Sequence, residues 1–158
     1  MFDDILDLME KAVSVVGEST FTELRFQSRS DFSVSVLNGV VKDVSKGSVV
    51  GICSRSLVDG CWGFASSTDL SYEGIVSLIK RSINAAKAVV PFKKQRIALE
   101  ERATFSDEYV TPMKKDPLKM DVDWLVDESL SAHNRVRELS NLISMDTVSS
   151  GFVDDRLF

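Results

Sequence analysis

The side chains that could do chemistry in this 158-residue chain are few: one histidine, two cysteines and a handful of acid pairs. His133 could ligate a metal or move a proton. A zinc site takes three or four ligands, however, and no second His or Cys lies at ligand spacing from it. His133 falls on the apolar side of a helical pattern, so the expectation is a boundary histidine whose ring nitrogens are satisfied within the fold. Asp3-Asp4, Glu100-Glu101 and Asp154-Asp155 are carboxylate pairs of the kind acid–base catalysis uses. Neighbours in sequence do not face each other on a helix or a strand, and such runs are expected to be solvated. The serines form no Gly-x-Ser-x-Gly elbow. Gly47, Gly51, Gly60 and Gly63 are spaced through hairpins rather than gathered into a phosphate-binding loop. Lys93, Lys94 and Arg96 make a basic cluster, but Glu100 and Glu101 follow closely, so its field is mostly cancelled within a screening length of roughly 8 Å. Trp62 and Phe64 alternate on one strand face. They could stack on a ligand, although packing against a helix is the expected role for such aromatics. No catalytic or metal-binding residue is assigned, and no substrate-binding residue emerges from residue types alone.

The elements that would carry these residues follow from periodicity. Phe2, Ile5, Leu6, Met9, Ala12, Val13 and Val16 form one apolar stripe and predict a helix over 2–16, stopped by Gly17. Alternation predicts strands over 22–30 and 32–37, joined by Arg29-Ser30-Asp31. Asn38-Gly39 then turns the chain into a strand over 40–45, and Lys46-Gly47-Ser48 reads as the next turn. Residues 49–58 and 61–66 pair around Asp59-Gly60, with Val58 opposite Cys61 and Leu57 opposite Trp62. That register turns Cys53 away from Cys61, so both are expected to be free thiols. A second helix over 71–90 has Ser71 as its N-cap and ends at Pro91. Residues 92–120 read as a long connection, with a short extended piece near Tyr109-Val110. A third helix over 121–140, capped by Asp121, is followed by a strand over 141–150 and the start of a further β element. The fold class is α+β: a mostly antiparallel meander of five strands with helices on one face. Residues 1–91 would form the main body.

Composition removes several functions. The apolar fraction of 44% and charged fraction of 27% are those of a globular protein. The net charge of −5 gains nothing from phosphate counterion release, which argues against nucleic acid as a partner. No apolar run is long enough for a membrane helix, and the acidic start MFDDILDLMEK lacks the basic and apolar regions of a secretory signal. The expectation is a cytoplasmic protein with no membrane partner.

The wording of the meander carries a resemblance. The pieces are Asn38-Gly39-Val40-Val41 followed by Val44-Ser45, then Gly51 to Leu57, then Val58-Asp59-Gly60-Cys61-Trp62-Gly63-Phe64-Ala65-Ser66, and Asp69-Leu70-Ser71 opening a helix. With Val110-Thr111-Pro112-Met113-Lys114-Lys115-Asp116-Pro117, they resemble the N-terminal domain of the TldD/PmbA family, linked by name to DNA gyrase and regarded as metallopeptidases. The structural signature comprises Asn38, Gly39, Gly51, Asp59, Gly60, Trp62, Gly63 and Phe64.

The resemblance implies a zinc-dependent peptidase acting on flexible or unfolded peptides, as a homodimer or as a heterodimer with a paralogue. The family's helical His-Glu-x-x-x-His motif has no counterpart here: His133 is followed by Asn134, and no second histidine exists. The resemblance therefore implies a zinc site in a C-terminal half beyond Phe158, and a chain that is a non-catalytic N-terminal piece shaping a peptide channel or a dimer surface. Three other readings remain: a protein-binding adaptor of gyrase-modulator type, the inactive half of a peptidase heterodimer, and a small structural domain sharing only the meander.

Overall fold

The computed structural model describes residues 2–158 except Glu18, Thr20, Glu101, Arg102, Thr104, Phe105, Pro117 and Leu118. The side chains of Phe2 and Asp3, Glu101 of its acid pair, and Pro117 of the family-like segment thus lie outside the described residues. The elements in order are α1 (Phe2–Val15), β1 (Phe21–Leu37), β2 (Val40–Val58), β3 (Cys61–Ser67), α2 (Tyr72–Val89), a 3-10 turn (Val90–Phe92), α3 (Val122–Leu139) and β4 (Thr147–Leu157). The strands form one antiparallel sheet in the order β3-β2-β1-β4, an α+β fold. Among the described residues no helix is long and apolar enough to cross a membrane.

Two of the expected joints are absent. Residues 29–31 do not break β1, and Lys46-Gly47-Ser48 does not turn β2, so the expected five-stranded meander is three strands, β1 to β3, and β4 makes the fourth strand of the sheet. The reason lies across the ladder. A Cβ on Gly47 would sit 2.9 Å from Asp31 Oδ1, so the glycine makes room for a cross-strand carboxylate. Ser30 reaches Ser48 at 3.5 Å in the same place. The strand expected over 141–150 is also displaced: 140–146 is a turn and loop, and β4 begins at Thr147. No strand forms at Tyr109-Val110. The two tight turns hold, because Asn38 (φ 50°), Gly39 (φ 74°), Asp59 (φ 47°) and Gly60 (φ 72°) all take the positive φ that a type I′ hairpin requires.

The described chain divides into two compact units, Met1–Ser28 with Val50–Ser106 and Arg156–Phe158, and Arg29–Val49 with Asp107–Asp155. In the first, α1 and α2 bury Ile5, Met9, Ala12, Ile75, Leu78, Ile79, Ile83 and Ala86 against Phe26, Ile52 and Val58. The register pairs Val58 with Cys61 and Leu57 with Trp62, as the hairpin geometry dictates. The small residues of β3 let α2 come close: a Cβ on Gly63 would lie 2.0 Å from the Ser82 carbonyl and 2.4 Å from the Ala86 nitrogen. At that contact the buried Ser82 hydroxyl meets Ser54 Oγ at 2.9 Å and Ser56 Oγ at 2.7 Å. Ser71 caps α2 by accepting from the Gly74 N–H. In the second unit, Phe32, Val34 and Val36 of β1 lie beneath Leu125, Val126 and Leu130 of α3, beside Val148 and Phe152 of β4. Asp121 caps α3, and Ser129 on that helix meets Ser150 on β4 at 2.5 Å.

Candidate functional site

The second unit ends in an open strand. β3 pairs with β2 only over residues 52–58, so residues 40–49 have β1 on one side and no strand on the other among the described residues. At about 3.4 Å per residue this free edge is roughly 34 Å long. Val40, Val44 and Val49 stand 55%, 45% and 65% exposed along it. A long apolar edge is a template for pairing with another chain. Lys42, Asp43 and Lys46 interrupt it with charge, as edges that avoid indiscriminate pairing do. It also carries a bulge. The Asn38-Gly39 turn sets Leu37 opposite Val40, yet Ser33 meets Ser45 at 2.8 Å, a pairing one residue out of step. β2 therefore accommodates one extra residue between Val40 and Ser45, which twists the edge locally.

The root of this strand is locked. The Asn38 side-chain oxygen accepts from the Asp146 N–H at 3.0 Å and from Arg137 Nη2 at 3.3 Å, and the Asn38 N–H donates to the Asp146 carbonyl at 3.0 Å. Arg137 also donates to the carbonyls of Ile143 and Ser144. His133 Nδ1 lies 2.6 Å from Asp146 Oδ2, with only 12% and 8% of the two side chains exposed. Arg137 Nε stands 3.2 Å from Asp146 Oδ1 as an ion pair, but off the geometry of a hydrogen bond, which leaves that buried oxygen without a hydrogen-bond partner among the described residues. The other imidazole nitrogen, Nε2, faces Gly39, 2.8 Å from where a Cβ would stand.

This is a docking lock, and its donor set does not suit a catalytic zinc. Among the described residues no group of three or more His, Cys, Asp or Glu side chains converges as cation ligands. The one histidine is committed to Asp146 and packed on Gly39. Cys61 is buried, Cys53 is half-buried, and both are free thiols. Asp154 and Asp155 lie on β4.

The aromatic pair breaks the packing expectation. Cys61, Gly63 and Ala65 turn toward α2, which puts Trp62 and Phe64 on the opposite face, where Phe64 is 61% exposed. The face that meets the helix is the one with residues small enough to admit it. On the outer face of the first unit, Phe21 meets Trp62 edge-on with ring centroids 6.0 Å apart. Arg55 lies 4.5 Å over the Trp62 ring and bonds Glu23 at 2.6 Å. Gly51 lies 3.5 Å, taken at its would-be Cβ, from the Ser67 carbonyl, and Gly60 is closed over by Arg96 and Ile97. The signature residues therefore fall into separate places: Asn38 and Gly39 at the lock, the others in the β2–β3 hairpin. The lock itself went unread in the sequence. Its one local signal is His133 and Arg137 at i, i+4 on a helix, which share a face.

The sequence model of the family described as PmbA/TldA metallopeptidase domain 1 matches residues 22–86. A metalloprotease of Methanocaldococcus jannaschii is 24% identical over 115 residues, 73% of this chain and 26% of that protein. Two solved structures share the fold over 98% of the chain. A Thermotoga maritima protein named as a modulator of a DNA gyrase has a TM-score of 0.66 at 15% identity, with 35% of its length covered. TldE of Thermococcus kodakarensis has a TM-score of 0.66 at 17% identity, with 34% covered. The chain thus spans about a third or less of the length of each of these relatives.

Proposed function

The chain carries the N-terminal domain of the TldD/PmbA metallopeptidase family, and from that premise we propose that it is a non-catalytic cytoplasmic module that receives an extended peptide on the open edge of β2. Zinc and the hydrolytic step belong to a catalytic domain outside residues 1–158. The observation that carries the reading is the ten-residue edge over 40–49, whose outer side, opposite β1, meets no partner strand among the described residues and carries exposed valines. Strand addition suits a peptidase that takes unfolded chains. Main-chain hydrogen bonds supply affinity for any sequence, and alternate side chains add contacts. A folded protein has few free extended segments to offer, so selectivity for flexible substrates follows from the mode of docking.

The test is a fluorescent extended peptide titrated onto the chain, with zinc content and hydrolysis measured alongside. The expected result is saturable binding without turnover, weakened about tenfold or more by Val44→Glu with Val49→Glu. Hydrolysis by this chain alone, or binding indifferent to the edge, would overturn the reading. The same edge could accept a strand from a second copy or a paralogous subunit, and sedimentation in the same titration distinguishes that occupant.

A further inference from the structure

The geometry points to Asn38 as a self-modifying site: it cyclises onto the Gly39 amide and hydrolyses to aspartate or isoaspartate, assisted by Asp146, Arg137 and His133. This inference is independent of peptide docking. Asn-Gly is chemically the most exposed dipeptide to this reaction, because glycine places no side chain in the way of the attacking nitrogen and lets the intervening peptide plane rotate. Asn38 is exposed. Its side-chain oxygen already accepts from a backbone N–H, at 3.0 Å, and from a guanidinium, at 3.3 Å. Two such donors are the elements of an oxyanion hole. With Nδ1–H donated to the Asp146 carboxylate, His133 Nε2 carries the lone pair and lies against Gly39.

The step balances without an outside oxidant. The Gly39 nitrogen bonds to Asn38 Cγ and gives its proton to His133 Nε2. The oxyanion at Oδ1 is held by the Asp146 N–H and Arg137. The Cγ–Nδ2 bond breaks, the imidazolium returns the proton, and ammonia leaves. Water then opens the succinimide at either carbonyl. The product gains a carboxylate beside Arg137, and in the isoaspartate form it gains a backbone methylene at the root of β2. The second turn of the same type lacks these parts. The space beside Gly60 is filled by Arg96 and the Ile97 nitrogen, and the Gly60 carbonyl accepts from the Ile97 N–H at 3.0 Å.

Native chain, the same chain in urea, and His133→Gln are incubated at neutral pH and followed by peptide mapping, with mass spectrometry and isoaspartate labelling. We expect Asn38 to convert about tenfold or more faster in the native chain than in urea, on the scale positioned acid–base groups supply. His133→Gln, with its fold checked by circular dichroism, should bring the native rate down to the urea rate, and Asp59-Gly60 should lag. A native rate equal to or below the urea rate would overturn the proposal. A native acceleration that survives His133→Gln would overturn the role of the imidazole. If His133→Gln does not fold, the comparison of native chain with urea decides alone.

Discussion

Replacing Gly63 by alanine should be among the most damaging single-methyl changes in the chain. The added Cβ would stand 2.0 Å from the Ser82 carbonyl and 2.4 Å from the Ala86 nitrogen, both backbone atoms of α2, so no side-chain rotation can relieve the clash. The helix must move off β3. Overpacking of this kind costs about 1–3 kcal/mol. The displacement also parts the Ser82 hydroxyl from Ser54 and Ser56, bonds of 2.9 Å and 2.7 Å in a fully buried place. Each lost bond adds roughly 1 kcal/mol. The total is about 3–5 kcal/mol, a large share of the roughly 5–15 kcal/mol that holds a domain folded. The assay is urea unfolding followed by circular dichroism, with Gly17→Ala as control, since no atom of the described residues lies within 4 Å of a Cβ there. A loss below about 1 kcal/mol for Gly63→Ala would refute the packing of α2 on β3, because no overpacking cost of the expected size would remain.

Three further outcomes follow from the same contacts. Arg55→Ala removes a cation from the face of Trp62 and a salt bridge to Glu23; these groups are partly exposed, so unfolding should shift by no more than about 1 kcal/mol while Trp62 fluorescence changes clearly. Asp146→Ala strips His133 and Arg137 of their shared carboxylate, and breaking such a buried network should cost about 3 kcal/mol and raise hydrogen exchange at the Asn38-Gly39 turn first. The Ser71 hydroxyl and then the Ser71 N–H hold the Asp69 carboxyl below its ordinary pKa; a depressed carboxylate stabilises above its unfolded-state pKa and loses that contribution as the pH falls through the folded value. Acid unfolding should therefore become less steep in Asp69→Asn, and an unchanged acid limb would count against the cap.

Much of the local grammar was legible and the register largely so. Ser71 and Asp121 are caps because their side chains satisfy free N–H groups, a need that any helix start has. Asp59-Gly60 fixed the pairing of Val58 with Cys61 and Leu57 with Trp62, because a two-residue turn leaves one choice. The failures came where a residue answers to a distant partner. Gly47 looked like a turn, yet it serves Asp31 across the ladder. Ile143 and Met145 looked like strand residues, but Arg137 holds the Ile143 carbonyl in a loop instead. Trp62 and Phe64 looked like core, while the helix selected the face with Gly63. Where along the strands the open edge falls was unreadable for the same reason: that β3 covers only residues 52–58 of a 19-residue strand is a property of the sheet.

Hydrogen exchange on the chain, with and without an extended peptide, tests the docking edge most directly. We predict new amide protection confined to alternate residues over 40–49, where a strand would add, with β3 and the outer face of Trp62 unchanged. Protection that appears elsewhere, or none at saturating peptide, would contradict the assignment of this edge as the place where substrate is received.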